Sequence, residues 1–316
     1  MLNLSRRIAA KAARESRVVW NQAKMLGFRR SMLTRAAASA PNDLFGAQSD
    51  EFWFWCLTHG IRRDGLLRAA LPSMPPAEVQ ERFTGSSGDA TLREGWRFYR
   101  LVKQLAARYG RPLTAETTIV DFGCGWGRIL RFFLKDVAPA RLIGLDCEPE
   151  VAAICQRHNR WANVLVINPY PPAALPDQSV DLIYCYSVFS HLAEEAHRQW
   201  LAEFKRILRP GGLLIATTRP RNFILDCAKV REQPARLGRM GASAAFKDTA
   251  AAIRQYDAGG FCYSPVGGGS VLDSSFYGET CIPEAYVRRE WTRYFTLAGW
   301  IDDRSVCHQN VIIMQA

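Results

Sequence analysis

The chain has 316 residues, of which 48% are hydrophobic and 22% charged, and its formal net charge is +11. So apolar a chain can bury a sizeable core, which excludes an intrinsically disordered protein. No apolar run approaches the roughly 20 residues that a membrane-spanning helix needs.

Residues 1–35 hold Arg6, Arg7, Lys11, Arg14, Arg17, Lys24, Arg29, Arg30 and Arg35 against the single acid Glu15, so this arm carries +8 of the charge. The remainder is close to ordinary in charge, and the overall basicity alone does not imply a nucleic-acid partner. Drawn as a helix, the arm puts Leu4, Ile8, Ala12, Val19 and Leu26 on one side, with Lys11 and Arg29 intruding. Three readings of this basic arm, residues 1–40, compete: a helix lying on a membrane surface, a transit peptide, and a basic helix packed on the domain. Residues 36–49 read as a linker. The cluster Phe52-Trp53-Phe54-Trp55 reads as a core anchor, Leu71-Pro72-Ser73-Met74-Pro75-Pro76 as a break, and Gly85-Ser86-Ser87-Gly88 as a turn. A helix is predicted over 91–109, with Trp96, Tyr99, Val102 and Leu105 on its apolar side. Residues 41–115 therefore form an N-terminal helical region.

From Thr117 short apolar runs alternate with helices. Strands are predicted over 117–122, 141–146, 163–168, 180–187 and 213–218, and helices over 127–136, 149–160 and 194–208. Such alternation predicts an α/β fold with a mostly parallel sheet covered on both faces. In helix 194–208, Trp200, Leu201, Phe204, Ile207 and Leu208 give one apolar face, and Pro210-Gly211-Gly212 is expected to stop the helix and turn the chain. The 221–283 segment is too long for an ordinary connection and predicts an inserted lid or acceptor region. A helix from Pro283 to about Thr296 follows, then strands over 299–304 and 309–314 as an antiparallel pair.

The nine cysteines include no Cys-x-x-Cys pair, and the five histidines are scattered. Together with the lack of a secretory signal pattern, this predicts reduced thiols, a cytoplasmic setting and no metal site.

The most informative segment is Ile119-Val120-Asp121-Phe122-Gly123-Cys124-Gly125-Trp126-Gly127-Arg128. A strand ends in an acid, and alternating glycines then let the backbone turn and let a ligand touch the main chain. The dinucleotide fingerprint G-x-G-x-x-G has a similar start, but here Arg128 stands where its third glycine belongs. The acid suits a cationic amino-acid ligand better than a pyrophosphate. Asp146 ends the next strand, and Leu208-Arg209-Pro210-Gly211-Gly212 precedes the fifth.

With these motifs in this order the chain resembles the class I S-adenosylmethionine-dependent methyltransferases of the bacterial small-molecule type, over about residues 94–220 and 284–316. The resemblance implies a Rossmann-like, seven-stranded, mostly parallel sheet with an antiparallel last strand, whose catalytic domain comprises 116–220 and 284–316. The N-terminal helical extension and the lid are added to it. It implies S-adenosylmethionine as cofactor, and it implies roles for several residues. Asp121 organises the loop and helps hold the methionine ammonium, while Gly123 and Gly125, with Cys124 and Gly127 in the same loop, allow close backbone approach. Asp146 takes the ribose hydroxyls, its alternative being a helix-capping acid. Cys147 lies against the adenine and Asn168 bonds its amino group, although the family more often has Asp there. Ser187 joins this cofactor-binding set. Asn168-Pro169-Tyr170-Pro171-Pro172 imitates the Asn-Pro-Pro-Tyr signature of base-methylating enzymes, but it follows the third strand instead of the fourth.

Methyl transfer to a hydroxyl needs in-line positioning, exclusion of water and a base. His191, just past the fourth strand, is the candidate catalytic residue; its bland alternative is to cap or pack the following helix. His308 and Gln309 reach the same sheet edge, and Tyr186, Tyr263, Tyr277 and Trp291 are candidates to line an acceptor pocket. The expected function is methylation of a small-molecule acceptor, extending to O-methylation of a sugar, a polysaccharide-related compound or another polar metabolite. No specific nucleic-acid partner is expected; on one reading residues 1–35 make peripheral contact with the inner membrane surface. The pattern fixes no oligomeric state. The alternatives are an RNA or protein methyltransferase docking through the basic arm, and a non-catalytic cofactor-binding partner protein.

Overall fold

The structure is a computed structural model that describes residues 39–233, 244–267 and 272–316, together with Met25. The helix drawn over residues 1–35 therefore lies outside the described residues except for Met25, as do two pieces of the 221–283 segment. The apolar runs after Thr117 become β1 (Ile119–Phe122), β2 (Leu142–Asp146), β3 (Asn163–Val166), β4 (Val180–Cys185) and β5 (Leu208–Thr218). A separate hairpin pairs β6 (Cys262–Ser264) with β7 (Glu279–Cys281), and β8 (Thr296–Ile301) and β9 (Asn310–Gln315) close the chain.

The main sheet has seven strands in the order β3-β2-β1-β4-β5-β9-β8. The first five run parallel, and β9 is antiparallel to both β5 and β8. The alternation along each strand divides the core in two. Ile119, Leu182 and Tyr184 join a cluster with the N-terminal helices. Val120, Ile183 and Cys185 join one built on helices Glu194–Ile207 and Glu284–Glu290. The strand order reverses between β1 and β4, so a crevice opens at their carboxyl ends, the usual ligand position in open α/β sheets.

The structure corrects two local expectations. The helix predicted over 127–136 shrinks to one turn, Leu130–Phe133, because Gly125 and Gly127 sit at φ 53° and 76°, which a right-handed helix excludes. The Pro210-Gly211-Gly212 segment does not separate helix from strand. The helix ends at Ile207, Leu208 is already extended, and the register jumps from Val180↔Leu208 to Leu182↔Leu213, so this segment is a bulge inside β5. Arg111 pins the bulge by donating to the carbonyls of Pro210 (2.7 Å) and Gly211 (2.9 Å). Smaller differences occur at the end of the chain. The last helix stops at Glu290 and runs into a 3-10 turn, and β8 begins at Thr296.

The N-terminal helical region is welded to the sheet domain. Helix Asp50–Trp55 starts at Ser49, whose hydroxyl accepts from Phe52 N, and buries all of Phe52, Trp53, Phe54 and Trp55. Trp53 Nε1 donates to Phe132 O at 2.9 Å. Gly95 lets helix Gly88–Arg108 approach Arg128 and Ile129 so closely that a Cβ would lie 3.3 Å from the Arg128 side chain.

A nearly buried ionic network completes the joint. Lys135, 4% exposed, reaches Asp50 (3.1 Å) and Asp136 (3.2 Å), and Lys103 pairs with the same two acids at 2.9 and 2.8 Å. The Tyr99 hydroxyl lies within hydrogen-bond reach of both carboxylates, gives its one proton to Asp136 on the shorter contact, and accepts from Lys103 Nζ. Replacing one member leaves the opposite charges short of a partner. Asp136→Ala is expected to lower the unfolding free energy by about 3 kcal/mol, measured by urea denaturation.

Candidate active site

The glycine loop leaves β1 at Phe122 and is held on two sides by close packing. Gly123 has φ 73°, and a Cβ there would lie 2.4 Å from Val188 Cγ2; one at Gly127 would lie 2.3 Å from Asn159 Nδ2 and 2.8 Å from Cys155 Sγ. Gly125, between them, would meet nothing within 4 Å. The loop backbone is also tied to β2, since Gly123 N and Cys124 N both donate to Leu145 O, at 2.8 and 3.0 Å. Asp146 Oδ2 accepts from Gly125 N at 2.9 Å, and its Oδ1 accepts from Glu148 N at 3.1 Å. Asp146 thus caps the turn after β2 and organises the loop, the task the sequence reading gives to Asp121. With a further bond from the Cys147 backbone, the carboxylate keeps acceptor capacity for one ligand hydroxyl.

The loop forms one wall of a cleft of about 230 Å³ at the switch point. Asp121, Gly123, Cys124, Gly125, Asp146, Cys147, Asn168, Ser187 and His191 all line it. Gly127 does not, because its place is taken up by packing against Asn159 and Cys155. Tyr186 and Tyr277 also line the cleft, whereas Trp291 is fully buried against Phe189 and Tyr263 lies outside the lining and donates to Ser274 O. Gln309 sits behind Ser187. It donates to Ser187 Oγ (2.9 Å) and accepts from the Thr217 hydroxyl (2.8 Å), while Ser187 N donates to Thr217 Oγ1. These bonds hold Ser187 at φ 60°, a left-handed angle rare for serine.

Several cleft residues carry no sequence motif. Phe83 and Thr84 come from the N-terminal region, and Leu272 and Phe276 from the insertion. Arg128 lines the cleft and donates to Glu94 Oε2 at 2.9 Å. Tyr186 donates to Glu94 Oε1 at 2.7 Å, and His308, more than half exposed, lies 3.1 Å from the same oxygen. Burial alone would raise the Glu94 carboxyl, but the His308 hydrogen bond, the Arg128 charge and the Tyr186 hydroxyl outweigh it and hold it at about 2. These contacts join residues 34, 92 and 214 positions apart, so only folding reveals them. Asp121 has the opposite balance. Burial and the neighbouring Asp146 carboxylate push it up to about 7.

His191 is oriented by the insertion. Its Nδ1 lies 2.8 Å from Gly278 O, and its ring stacks on Tyr277 with centroids 4.8 Å apart and planes within 2°. A carbonyl can only accept, so Nδ1 carries the hydrogen and Nε2 keeps its lone pair. Burial pushes the imidazole below its ordinary value, which keeps it neutral at pH 7. The arrangement combines a glycine loop, an acid at the end of each of two adjacent parallel strands, and a neutral imidazole on the same rim.

Residues 120–216 match the family model described as a methyltransferase domain. Over these residues the chain carries a methyltransferase domain. A relative from Mycolicibacterium smegmatis named a probable S-adenosylmethionine-dependent methyltransferase is 33% identical over 153 residues, which cover 47% of this chain and 53% of that one. Trans-aconitate 2-methyltransferase of Methylobacterium nodulans is 30% identical over 156 residues, which cover 46% of this chain and 57% of that one. Phthiotriol/phenolphthiotriol dimycocerosates methyltransferase 1 of Mycobacterium ulcerans is 26% identical over 185 residues, covering 55% and 62%. The chain thus spans little more than half the length of these curated relatives. A solved S-adenosylmethionine-dependent methyltransferase from Clostridium acetobutylicum overlaps 76% of this chain and 96% of its own, with 10% identity and a TM-score of 0.46. The strand order itself carries the fold assignment.

In this methyltransferase domain the three glycines are not equivalent. Gly127→Ala forces a left-handed alanine into Asn159 and Cys155 and is expected to cost about 3 kcal/mol of stability, whereas Gly125→Ala, with open space before it, costs about 1. Thermal unfolding of both variants checks the order.

Proposed function

We propose that this protein transfers the methyl group of S-adenosylmethionine to a hydroxyl of a neutral small molecule, with His191 as the general base. The observation that carries this reading is the orientation of His191: neutral, with Nδ1 committed to Gly278 O, beside the glycine loop. The residues present fit the cofactor. Asp121 and Asp146 supply negative charge for a sulfonium and an ammonium, Gly125 presents open backbone, and Cys147 and Asn168 stand beyond β2 and β3 for the adenine end. When bound, S-adenosylmethionine supplies an electrophilic methyl carbon and departs as the neutral thioether.

The chain's own part is to position, to exclude water and to move one proton. Leu272, Phe276 and Tyr277 cover the cleft from the insertion side, and Phe83 and Thr84 from the N-terminal side. His191 Nε2 accepts the hydroxyl proton as the oxygen forms its new bond to carbon, and the imidazolium afterwards returns that proton to water. The lining favours a neutral acceptor over an anionic one. Asp121, Asp146 and Glu148 face the cleft, and the positive charge of Arg128 is already spent on Glu94. A carboxylate acceptor, as the name of the Methylobacterium relative implies for that protein, would need no base and would meet these acids. The aromatic surfaces of Phe83, Phe276 and Tyr277 suit the flat face of a sugar or other ring alcohol. The same negative lining argues against a nucleic-acid acceptor.

Two experiments test the reading. Turnover, followed as release of S-adenosylhomocysteine over a panel of sugars, phenols and aliphatic alcohols, should fall about 100-fold or more in His191→Ala with cofactor affinity within twofold; unchanged turnover removes His191 from the chemistry. The second uses Asp121. Its folded pKa of about 7 means that the empty site is largely protonated below neutrality, and an ammonium placed beside it drives that proton off. Calorimetric affinity for S-adenosylhomocysteine should therefore rise about tenfold from pH 5.5 to 7.5 and then level, with proton release on binding. Asp121→Asn should flatten the profile.

A further inference from the structure

The insertion between β5 and the last helix returns to the site from which it departs, and its two ends meet beside His191. It leaves at Arg219, directly after β5 ends at Thr218, and comes back through β7, which begins at Glu279. Arg219 Nε donates to Glu279 Oε2 at 3.2 Å, and Arg219 forms a bridge with Cys281. The returning strand is stitched to the segment that carries His191. Ala193 N donates to Phe276 O, Gly278 N to His191 O and Thr280 N to Ser190 O, at 2.8–2.9 Å. The Thr280 hydroxyl adds a bond to Leu192 O. Glu279 Oε2 thereby comes to lie 3.7 Å from His191 Nδ1.

That distance decides what Glu279 does. It is too long for a hydrogen bond, and Nδ1 is already committed to Gly278 O at 2.8 Å. It is short for two charges, and the side chains of His191, Glu279 and Arg219 are only 14%, 10% and 18% exposed, so solvent screens them weakly. The other titratable neighbours are quiet. Tyr277, stacked on the imidazole, is pushed up by burial and stays neutral, and Glu148 and Cys147 act on Tyr277 from farther across the cleft.

We propose that Glu279, held in place by Arg219, is a positioning residue that stabilises the protonated His191 formed when the base takes the acceptor's proton. This rests on the reading of His191 as the base. Glu279 raises the proton affinity of the imidazole, Arg219 lowers it, and the pair together sets it while keeping the net added charge near zero. Placement of the returning segment 276–281 and readiness of the base are thereby linked, since Tyr277, Gly278 O and Glu279 are consecutive on it.

The test follows the ring of His191 by NMR in the full chain carrying 13C,15N-histidine and saturated with S-adenosylhomocysteine, with the signal assigned by its loss in His191→Asn. Glu279→Gln should shift the titration midpoint so that proton affinity falls about tenfold, and Arg219→Gln should shift it the opposite way. Nitrogen shifts should report hydrogen on Nδ1 in the neutral ring. Midpoints unmoved in both variants overturn the proposal, even if His191→Ala abolishes turnover and so leaves the base intact. Shifted midpoints with undiminished turnover in His191→Ala overturn it through the reading on which it rests. Loosening that exposed the ring would raise its proton affinity, so the fall expected for Glu279→Gln cannot come from loosening. If Glu279→Gln does not fold, Arg219→Gln decides alone: a risen midpoint with the Nδ1 signal retained supports the proposal, and a midpoint that stays or falls, or a rise with that signal lost, overturns it.

Discussion

A backbone forced into left-handed angles and then clamped is the constraint from which the rest of the site follows. Gly123 and Gly127 are turned by residues that leave no room for a side chain, and Gly125 between them is left facing the cleft. The clamp is completed from β2, where Leu145 O takes two loop hydrogens and Asp146 takes a third. A loop fixed this way presents its main chain without losing entropy when a ligand arrives. It also explains the short helix after the loop, since a helix cannot begin until the left-handed residues are past.

The parts added to the sheet act on this loop from two directions. On one side the N-terminal helices reach it through Arg131, whose Nε donates to Gly127 O and whose Nη1 donates to Ser73 O while its plane lies over Trp126. Gly95 brings helix Gly88–Arg108 against Arg128, and Glu94 on that helix takes up the Arg128 charge. On the other side the insertion delivers Phe276, Tyr277 and the partners of His191. The glycine-loop wall of the cleft is thus built on the sheet, and the facing wall is built on the additions. That division lets one fold serve many acceptors.

Charge is distributed to match. Buried carboxyls are tolerated where they face the cleft, where Asp121 is raised toward neutrality and can ionise against a cation. The Asp50, Lys103, Lys135 and Asp136 network that joins the helices to the domain pairs its charges, whereas the fully buried Arg131 is held by the carbonyls of Gly127 and Ser73 and the face of Trp126. Arg128 could have drawn an anion into the cleft, but it is neutralised by Glu94, which its partners hold at about 2.

Much of this was legible in the residues themselves. Strand-helix alternation from Thr117 onward determined the parallel sheet, and Asp121 to Gly125 with Asp146 mark the edge at which its cleft opens, because period and glycine placement are local properties of the chain. The same locality explains the errors. Gly127 reads as ligand-facing because nothing nearby shows that Asn159 and Cys155 fill the space beside it, and Pro210-Gly211-Gly212 reads as a helix stop because a bulge exists only relative to a paired strand. Glu94, Glu279 and the neutralisation of Arg128 were decided by tertiary structure alone. Electrostatic partners are chosen by distance in space, and here that distance of about 3 Å joins residues 34 to 214 positions apart in the chain.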